Sequence, residues 1–290
     1  MNIKNLLIMA VTTAMSFGFA ACSSDDDDDK SGLLYNDVNS EYNDYVSVCG
    51  IKWARGNLQH LGEEWKIADH QWEYFNYVDG NTGSSITQSS SQMDHFNWGV
   101  CGVNALTTSS AVCAKNVSQD ISGKMFTDEA CTIETTDFSI ASYGDIAYWA
   151  TQGSWRLPTQ AELEKLYNEA SYQYGYYTTE DGKNVYGYLF TPPKKSGRVE
   201  NTTARQITDE ELIGGLFLPA TGCRINPGTV VSNGGKVGYY WTSQYRNAGD
   251  NNYAYYLELQ PTRIRWAGNA SYYGRSVRPV KFDFTTTTID

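Results

Sequence analysis

The chain has 290 residues, a formal net charge of −11, 14% aromatic residues and only three histidines. That length suffices for one large domain or two small ones with ample core. The acidic balance argues against sequence-independent nucleic-acid binding, which needs a clustered basic surface, and against direct adhesion to anionic lipid.

The first residues join a short basic segment ending at Lys4, an apolar run from Leu6 to Phe19 and the small residues Ala20-Ala21-Cys22. This reads as a secretory signal, too short and wrongly flanked for a stable transmembrane helix. A cysteine directly after Phe-Ala-Ala resembles a bacterial lipobox, in which Cys22 is acylated and becomes the mature N-terminus. The next residues, Ser23-Ser24 and Asp25 to Asp29, resemble the acidic export signal of Bacteroidetes-type surface lipoproteins. The resemblance implies a signal peptide at 1–21 and a lipidated tether at 22–42. It also implies an outer-membrane location facing the cell exterior, with the lipid at Cys22 as the membrane anchor. A solvated acidic linker or a tag-like Asp-Asp-Asp-Asp-Lys protease site are the plainer readings of the same run. Setting aside those five aspartates with Lys4 and Lys30 leaves 28 acids against 20 bases. Five further cysteines remain, Cys49, Cys101, Cys113, Cys131 and Cys223, without any Cys-x-x-Cys. An oxidising compartment permits disulfides, but an odd number leaves at least one thiol unpaired.

A strand pair is expected over 45–54, with Gly50 as a turn or bulge. Residues 64–75 suggest a strand and then a short helix, and 79–95, with Gly80, Gly83 and a serine run, suggest a loop. From 97 to 144 the pattern predicts only short elements and loops. The clearest helix starts at Pro158-Thr159: Thr159 and Glu162 form a capping box, and Leu163, Leu166, Tyr167 and Ala170 share an apolar face. A strand at 185–191 ends at Pro192-Pro193, a turn or short helix at 207–212 precedes a strand at 216–220, and late strands are expected at 238–243, 254–259, 262–266 and 275–282. Short strands with one firm helix indicate an α+β fold rather than a parallel α/β sheet, and no repeat supports a solenoid or propeller.

Several segments together carry a resemblance. Trp155-Arg-Leu-Pro-Thr-Gln-Ala-Glu-Leu163, Phe217-Leu-Pro-Ala-Thr-Gly-Cys-Arg224, Gly238-Tyr-Tyr-Trp-Thr-Ser243, Ala254-Tyr-Tyr-Leu257 and Tyr273-Gly-Arg-Ser-Val-Arg-Pro-Val280 follow one another in the order shown by bacterial C-type-lectin-like domains of the FISUMP family. More distantly the chain is similar to the formylglycine-generating sulfatase-modifying fold. The resemblance implies a single C-type-lectin-like domain over 43–284, with short, mostly antiparallel strands, and a tail at 285–290. Calcium-dependent sugar lectins of this fold use Glu-Pro-Asn or Gln-Pro-Asp with Trp-Asn-Asp. Here Gln260-Pro261-Thr262 lacks the carboxylate and no Trp-Asn-Asp occurs, so the hard-cation site lacks its oxygens. No cysteine follows Cys223, which removes the chemistry of the sulfatase-modifying enzymes.

Other candidate chemistry has plainer explanations. His70 with Glu73, and Asp94-His95, invite an acid/base or metal reading but show no multi-ligand spacing. Glu162, Glu164 and Glu169 are better read as a helix cap and a solvated face than as a glycosidase pair. Asp250-Asn251-Asn252 reads as a turn.

The feature that stands out is the tyrosine-rich segment from Gly238 to Val280, in which Tyr recurs with Asn, Ser, Gly, Arg and Trp, a mixture typical of binding loops. Tyr240, Trp241, Tyr256 and Tyr273 lie in family-like motifs and are assigned to the core. The residues that interrupt those motifs form the expected ligand surface: Gln244, Tyr245, Arg246, Asn247, Asn252, Tyr253, Arg263, Arg265, Trp266, Asn269, Tyr272 and Arg275. The sequence therefore suggests a non-catalytic recognition module, adhesin-like or glycan-binding, that uses neither metal nor cofactor and takes a glycan or protein ligand. The alternatives are an accessory structural subunit of a fimbrial or glycan-uptake surface assembly, a diversity-generating-retroelement-type variable binding protein, and an enzyme of the formylglycine-generating type.

Overall fold

At the start of the domain Val46 and Val48 bury one side of a short strand, and Cys49-Gly50 turn the chain back with left-handed backbone at φ 53° and 74°. The pair so formed, β1 (Tyr45–Val48) and β2 (Ile51–Ala54), is antiparallel as its sequence predicts. The structure, a computed structural model, describes residues 44–108, 114, 120–126, 143–225, 228–248 and 251–282. Cys22, the acidic run, the tether, Cys113, Cys131, Asp250 and the C-terminal tail lie outside the described residues.

In chain order there follow β3 (Leu58–Leu61), β4 (Glu64–Ile67), β5 (Ser84–Thr87), β6 (Gln92–Met93), a 3-10 helix (Gly102–Leu106), β7 (Met125–Phe126), β8 (Tyr143–Gly144), α1 (Ile146–Ala150) and β9 (Trp155–Arg156). Then come α2 (Gln160–Glu169), β10 (Ser171–Thr178), β11 (Asn184–Thr191), β12 (Glu200–Gln206), α3 (Asp209–Gly214), β13 (Leu216–Pro219), β14 (Val230–Gly234), β15 (Gly238–Ala248), β16 (Asn251–Gln260), β17 (Arg263–Ala270) and β18 (Val280–Lys281). The strands form small sheets in the orders β1-β2-β18-β9, β12-β10-β11-β13, β15-β16-β17 and β4-β3-β6, with two further two-stranded pairs. All strand pairs are antiparallel except β10 with β12. The architecture is thus mostly antiparallel β with few helices, and its second and last strands meet through Val280 opposite Trp53.

The β15–β17 sheet is buried on both faces. Trp241, Ala254 and Tyr256 point into a core with Leu58, Phe96, Trp98 and Tyr148. On the opposite face Tyr240, Leu257, Leu259 and Ile264 meet Leu163 and Leu166 of α2 and an aromatic ladder of Tyr172, Tyr174, Tyr188 and Phe190 on β10 and β11. Tyr240 and Trp241, both assigned to the core from sequence, face opposite cores and are each 1% exposed. The buried polar tips are satisfied, Tyr240 Oη donating to Pro219 O at 2.6 Å and Trp241 Nε1 to Phe96 O at 2.8 Å.

Helix α2 begins where Thr159 accepts from the Glu162 amide and Glu162 reaches back to the Thr159 amide, the capping box predicted. Its two leucines contribute roughly 1.5–3 kcal/mol each by burial. Arg156 adds a bidentate pair to Glu162 at 2.6 and 2.7 Å. Burial pushes the Glu162 carboxyl up, but this pairing and the Thr159 hydrogen bonds outweigh it and hold the group below its usual range. Helix α3 has a second capping box, Thr208 with Glu211.

Four expectations are corrected. Residues 64–75 contain the strand β4 but no helix. Instead Gln71 is buried, its amide donating to Leu212 O and Gly215 O and accepting from the Phe217 amide, which holds the segment as irregular chain against β13. Residues 79–95 are not a loop throughout, because β5 pairs with β14 and β6 with β3. Strands β10, β12 and β14 were not anticipated. The expected strand at 275–282 shortens to Val280–Lys281, since Arg278 turns inward and donates to Asn57 Oδ1, Ala54 O and Gln71 O.

Candidate functional site

The sequence-predicted ligand residues do not converge. Strand β16 spans ten residues, about 30 Å at the usual rise, and the set is spread along its full length. Asn247 pairs with Asn252 through the backbone at one end, and Arg263 pairs with Gln260 at the other; the side chains of Asn247 and Asn252 lie outside the described residues. Tyr245 lies on the face shared with Ala254 and Trp241, its ring 6.1 Å from Trp98. Gln244 is half-buried and donates to the neighbouring Tyr245 O. Arg246 lies on the reverse face with Tyr253, donating to Gly268 O at 3.2 Å with its guanidinium 5.6 Å from the Tyr255 ring. Arg263 holds Gln260 at 2.8 Å, and Arg265 pairs with the buried carboxylate of Glu258 at 2.9 Å. Asn269 caps its neighbour Ala270, and Tyr272 stands edge-on to Tyr273 at 5.1 Å.

Trp266 is partly buried and packs against the second core, whereas the assignment of Arg275 as a contact residue is corrected. Arg275 is 2% exposed, its guanidinium held between the rings of Tyr256 at 3.9 Å and Trp241 at 4.3 Å. An arginine so enclosed ties the sheet together by cation–π attraction and has no surface to offer a ligand.

The histidine-carboxylate candidates also resolve. His70 is exposed and stacks on Trp72 at 5.1 Å, with Glu73 in an adjacent turn and no helix to bring them onto one face. Asp94 and His95 are fully buried. His95 Nδ1 lies 2.7 Å from Asp94 Oδ1, and Nε2 faces the carbonyls of Thr221 and Gly222 at 3.2 and 3.1 Å. With Gln88 Oε1 also 3.2 Å from Nδ1, these contacts make the pair a structural tie. Gly222 also lies close against β14: its φ is +81° and a Cβ there would lie 2.4 Å from Ser232 O. Among the described residues no group of three or more His, Cys, Asp or Glu is placed to hold a metal ion. The described cysteines, Cys49, Cys101 and Cys223, are all free thiols, and burial pushes the Cys223 thiol up to about 11.

A concavity among the described residues lies elsewhere. A cleft of about 690 Å³ is walled by the β3–β4 hairpin (His60, Gly62, Glu63, Trp65), the β5–β6 connection (Ser90, Ser91), the 3-10 helix and its exit (Gly102, Val103, Leu106, Thr107), and Trp149 of α1. Trp65 stands perpendicular to Trp149 at 5.3 Å between ring centroids, with His60 at 4.7 Å and Phe96 at 5.2 Å. The hairpin and the β5–β6 connection are locked together, since the Gly62 amide donates to Ser91 O at 2.7 Å and His60 Nδ1 donates to Ser90 O at 2.7 Å. A carbonyl can only accept, so the His60 proton on that side is fixed at Nδ1.

Trp149 is positioned by Asp145, the N-cap of α1. Its Oδ1 accepts from the Ala147 and Tyr148 amides, and its Oδ2 from the amides of Gly123 and Leu157 at 2.8 Å. Burial pushes this carboxyl up to about 6, opposed by the Gly123, Tyr148 and Leu157 amides and by Arg156. Sequence reasoning missed the cleft; its only local trace was two tryptophans, Trp65 and Trp149, in weakly patterned stretches.

The fold and the cleft together define a class: a mostly antiparallel β domain with an aromatic-floored, small-ligand-sized recess. No family model matches the chain, and neither a curated protein nor a solved structure does so.

Proposed function

We propose that this chain is a surface-exposed lipoprotein recognition module, non-catalytic and glycan-binding or adhesin-like, with a C-type-lectin-like fold. The observation that carries the reading is the cleft, where two tryptophans at right angles share a recess with hydroxyl, imidazole and carboxylate groups. Flat apolar rings beside a few polar groups suit a ligand with an apolar face and a polar rim, as a sugar has. Short antiparallel strands, few helices and the ordered motifs from Trp155 to Val280 support the fold; the lipobox-like Cys22 and the aspartate run support display outside the cell on a lipid anchor. The contact face moves from the tyrosine segment to the cleft, because the tyrosine segment spends most of its side chains on packing.

One observation favours the alternative of an accessory subunit in a fimbrial or glycan-uptake assembly: Val103 at the cleft and Leu61 on the adjoining hairpin are 73% and 38% exposed. Full-length protein in detergent, applied to a glycan array and separately recovered from membranes under mild conditions, separates the two. Glycan signals that disappear in Trp149→Ala support the recognition module; a stoichiometric protein partner lost in Val103→Asp, with no glycan signal, supports the subunit.

A further inference from the structure

We infer that the cleft selects an uncharged, hydroxyl-rich sugar ring and discriminates against sulfated or uronate-bearing glycans; this rests on the recognition reading above. The polar groups of the recess are weighted towards acceptors. His60 commits its Nδ1 proton to Ser90 O, so in the neutral ring its Nε2 is an acceptor, and that nitrogen has no partner among the described residues. Glu63 is exposed at the hairpin turn and adds a carboxylate, which accepts only. Ser90, Ser91 and Thr107 contribute hydroxyls that both donate and accept. Among the described residues no Lys or Arg lines the cleft. A sugar hydroxyl donates to such acceptors and loses little on leaving water, whereas a sulfate or carboxylate meets Glu63 with no compensating cation.

The floor points the same way. Trp65 and Trp149 touch edge to face at 5.3 Å, which leaves no gap between them for a quaternary ammonium to be wrapped by both rings. It leaves a ring face on which the C–H side of a pyranose can stack. A volume of about 690 Å³ falls within the usual range for small-ligand sites and exceeds what one ammonium headgroup would fill.

The test titrates full-length protein in detergent with matched panels of neutral, sulfated and uronate-bearing oligosaccharides and with choline, followed by calorimetry. Neutral members are expected to bind at least about tenfold more tightly than their charged counterparts. Trp149→Ala should abolish binding. His60→Asn, which can keep the bond to Ser90 O but lacks the Nε2 acceptor, should weaken binding by about tenfold. Glu63→Lys leaves the floor intact and should bring the charged panel to within a few-fold of the neutral one. Thermal unfolding of each variant shows that the fold is retained. If charged sugars or choline bind as well as neutral sugars and Trp149→Ala abolishes that binding, the inference is overturned while recognition at the cleft stands. If no panel binds, or Trp149→Ala changes nothing, the recognition reading itself falls.

Discussion

Strands β15–β17 and the cleft draw on the same aromatic chemistry in different arrangements. In the sheet, aromatics at alternate positions of neighbouring strands are met by a core on each side, so Tyr240, Trp241 and Tyr256 are nearly inaccessible and Arg275 is enclosed by rings. At the cleft, Trp65 comes from a hairpin and Trp149 from a one-turn helix, and they meet at a right angle beside a recess that no further side chain among the described residues fills. A tyrosine-rich composition is shared by binding loops and by a sheet sandwiched between two cores. What separates the two is whether another element covers the rings.

The largest effect expected from breaking this contrast is in the sheet. Trp241→Ala should destabilise the protein by about 3–5 kcal/mol, because it leaves a cavity between three elements and strips Arg275 of a ring. Equilibrium urea unfolding measures this, and a cost under about 1 kcal/mol would show that the sheet is not the structural centre.

Next comes Asp145→Ala, which leaves three buried amides and the half-buried Gly123 amide without their acceptor and should cost about 2–4 kcal/mol. Because α1 carries Trp149, glycan affinity should drop as well, a joint loss that Trp241→Ala should not share once its reduced folded fraction is allowed for. Asp145 also gives a pH dependence. Its carboxyl is raised from 3.8 to about 6 in the fold, so its contribution is fully present below 3.8 and is lost as pH rises through 6. Urea midpoints at pH 5 and pH 7 for wild type and Asp145→Asn test the sign.

Glu162→Gln should cost about 1 kcal/mol near neutral pH by loosening the cap of α2, which covers the sheet away from the cleft. Its carboxyl is depressed below 4.5, so the contribution is present above 4.5 and lost as pH falls through the folded value. The wild-type and variant unfolding curves should therefore converge in acid, with ligand affinity equal in both at neutral pH.

The smallest effect is expected at the exposed edge of the tyrosine segment. Arg263→Ala should change stability by no more than about 0.5 kcal/mol and leave glycan binding intact. A clear loss of binding there would return the contact face to β15–β17.

The sequence and the structure agree where the signal is local. The capping box at Thr159, the turn at Cys49-Gly50 and the strand before Pro192 all rest on neighbours a few residues apart. Strand β10 was overlooked although Tyr172, Tyr174 and Tyr176 alternate in it. Strand β5 could not have been read in the same way: Ser84–Thr87 is polar apart from Ile86 and becomes a strand because β14 pairs with it.

The candidate site was less legible still. Of the twelve proposed contact residues, Arg275 and Trp266 face cores, and the described side chains of the others are spread over two faces and two ends of one sheet. Composition marked Tyr, Arg and Asn as binding-type residues but carried no information on what packs against them.

By itself, then, the sequence determined the acidic charge, the prevalence of short strands over helices, the capped helix that starts at Thr159 and the motif order behind the family resemblance, because these depend on composition or on contacts within one turn or strand. The tertiary structure decided which aromatics are buried, which histidine is a structural tie and where the recess lies. Those outcomes depend on segments far apart in the chain, such as the Trp65 hairpin and the Asp145-capped helix, being packed against each other.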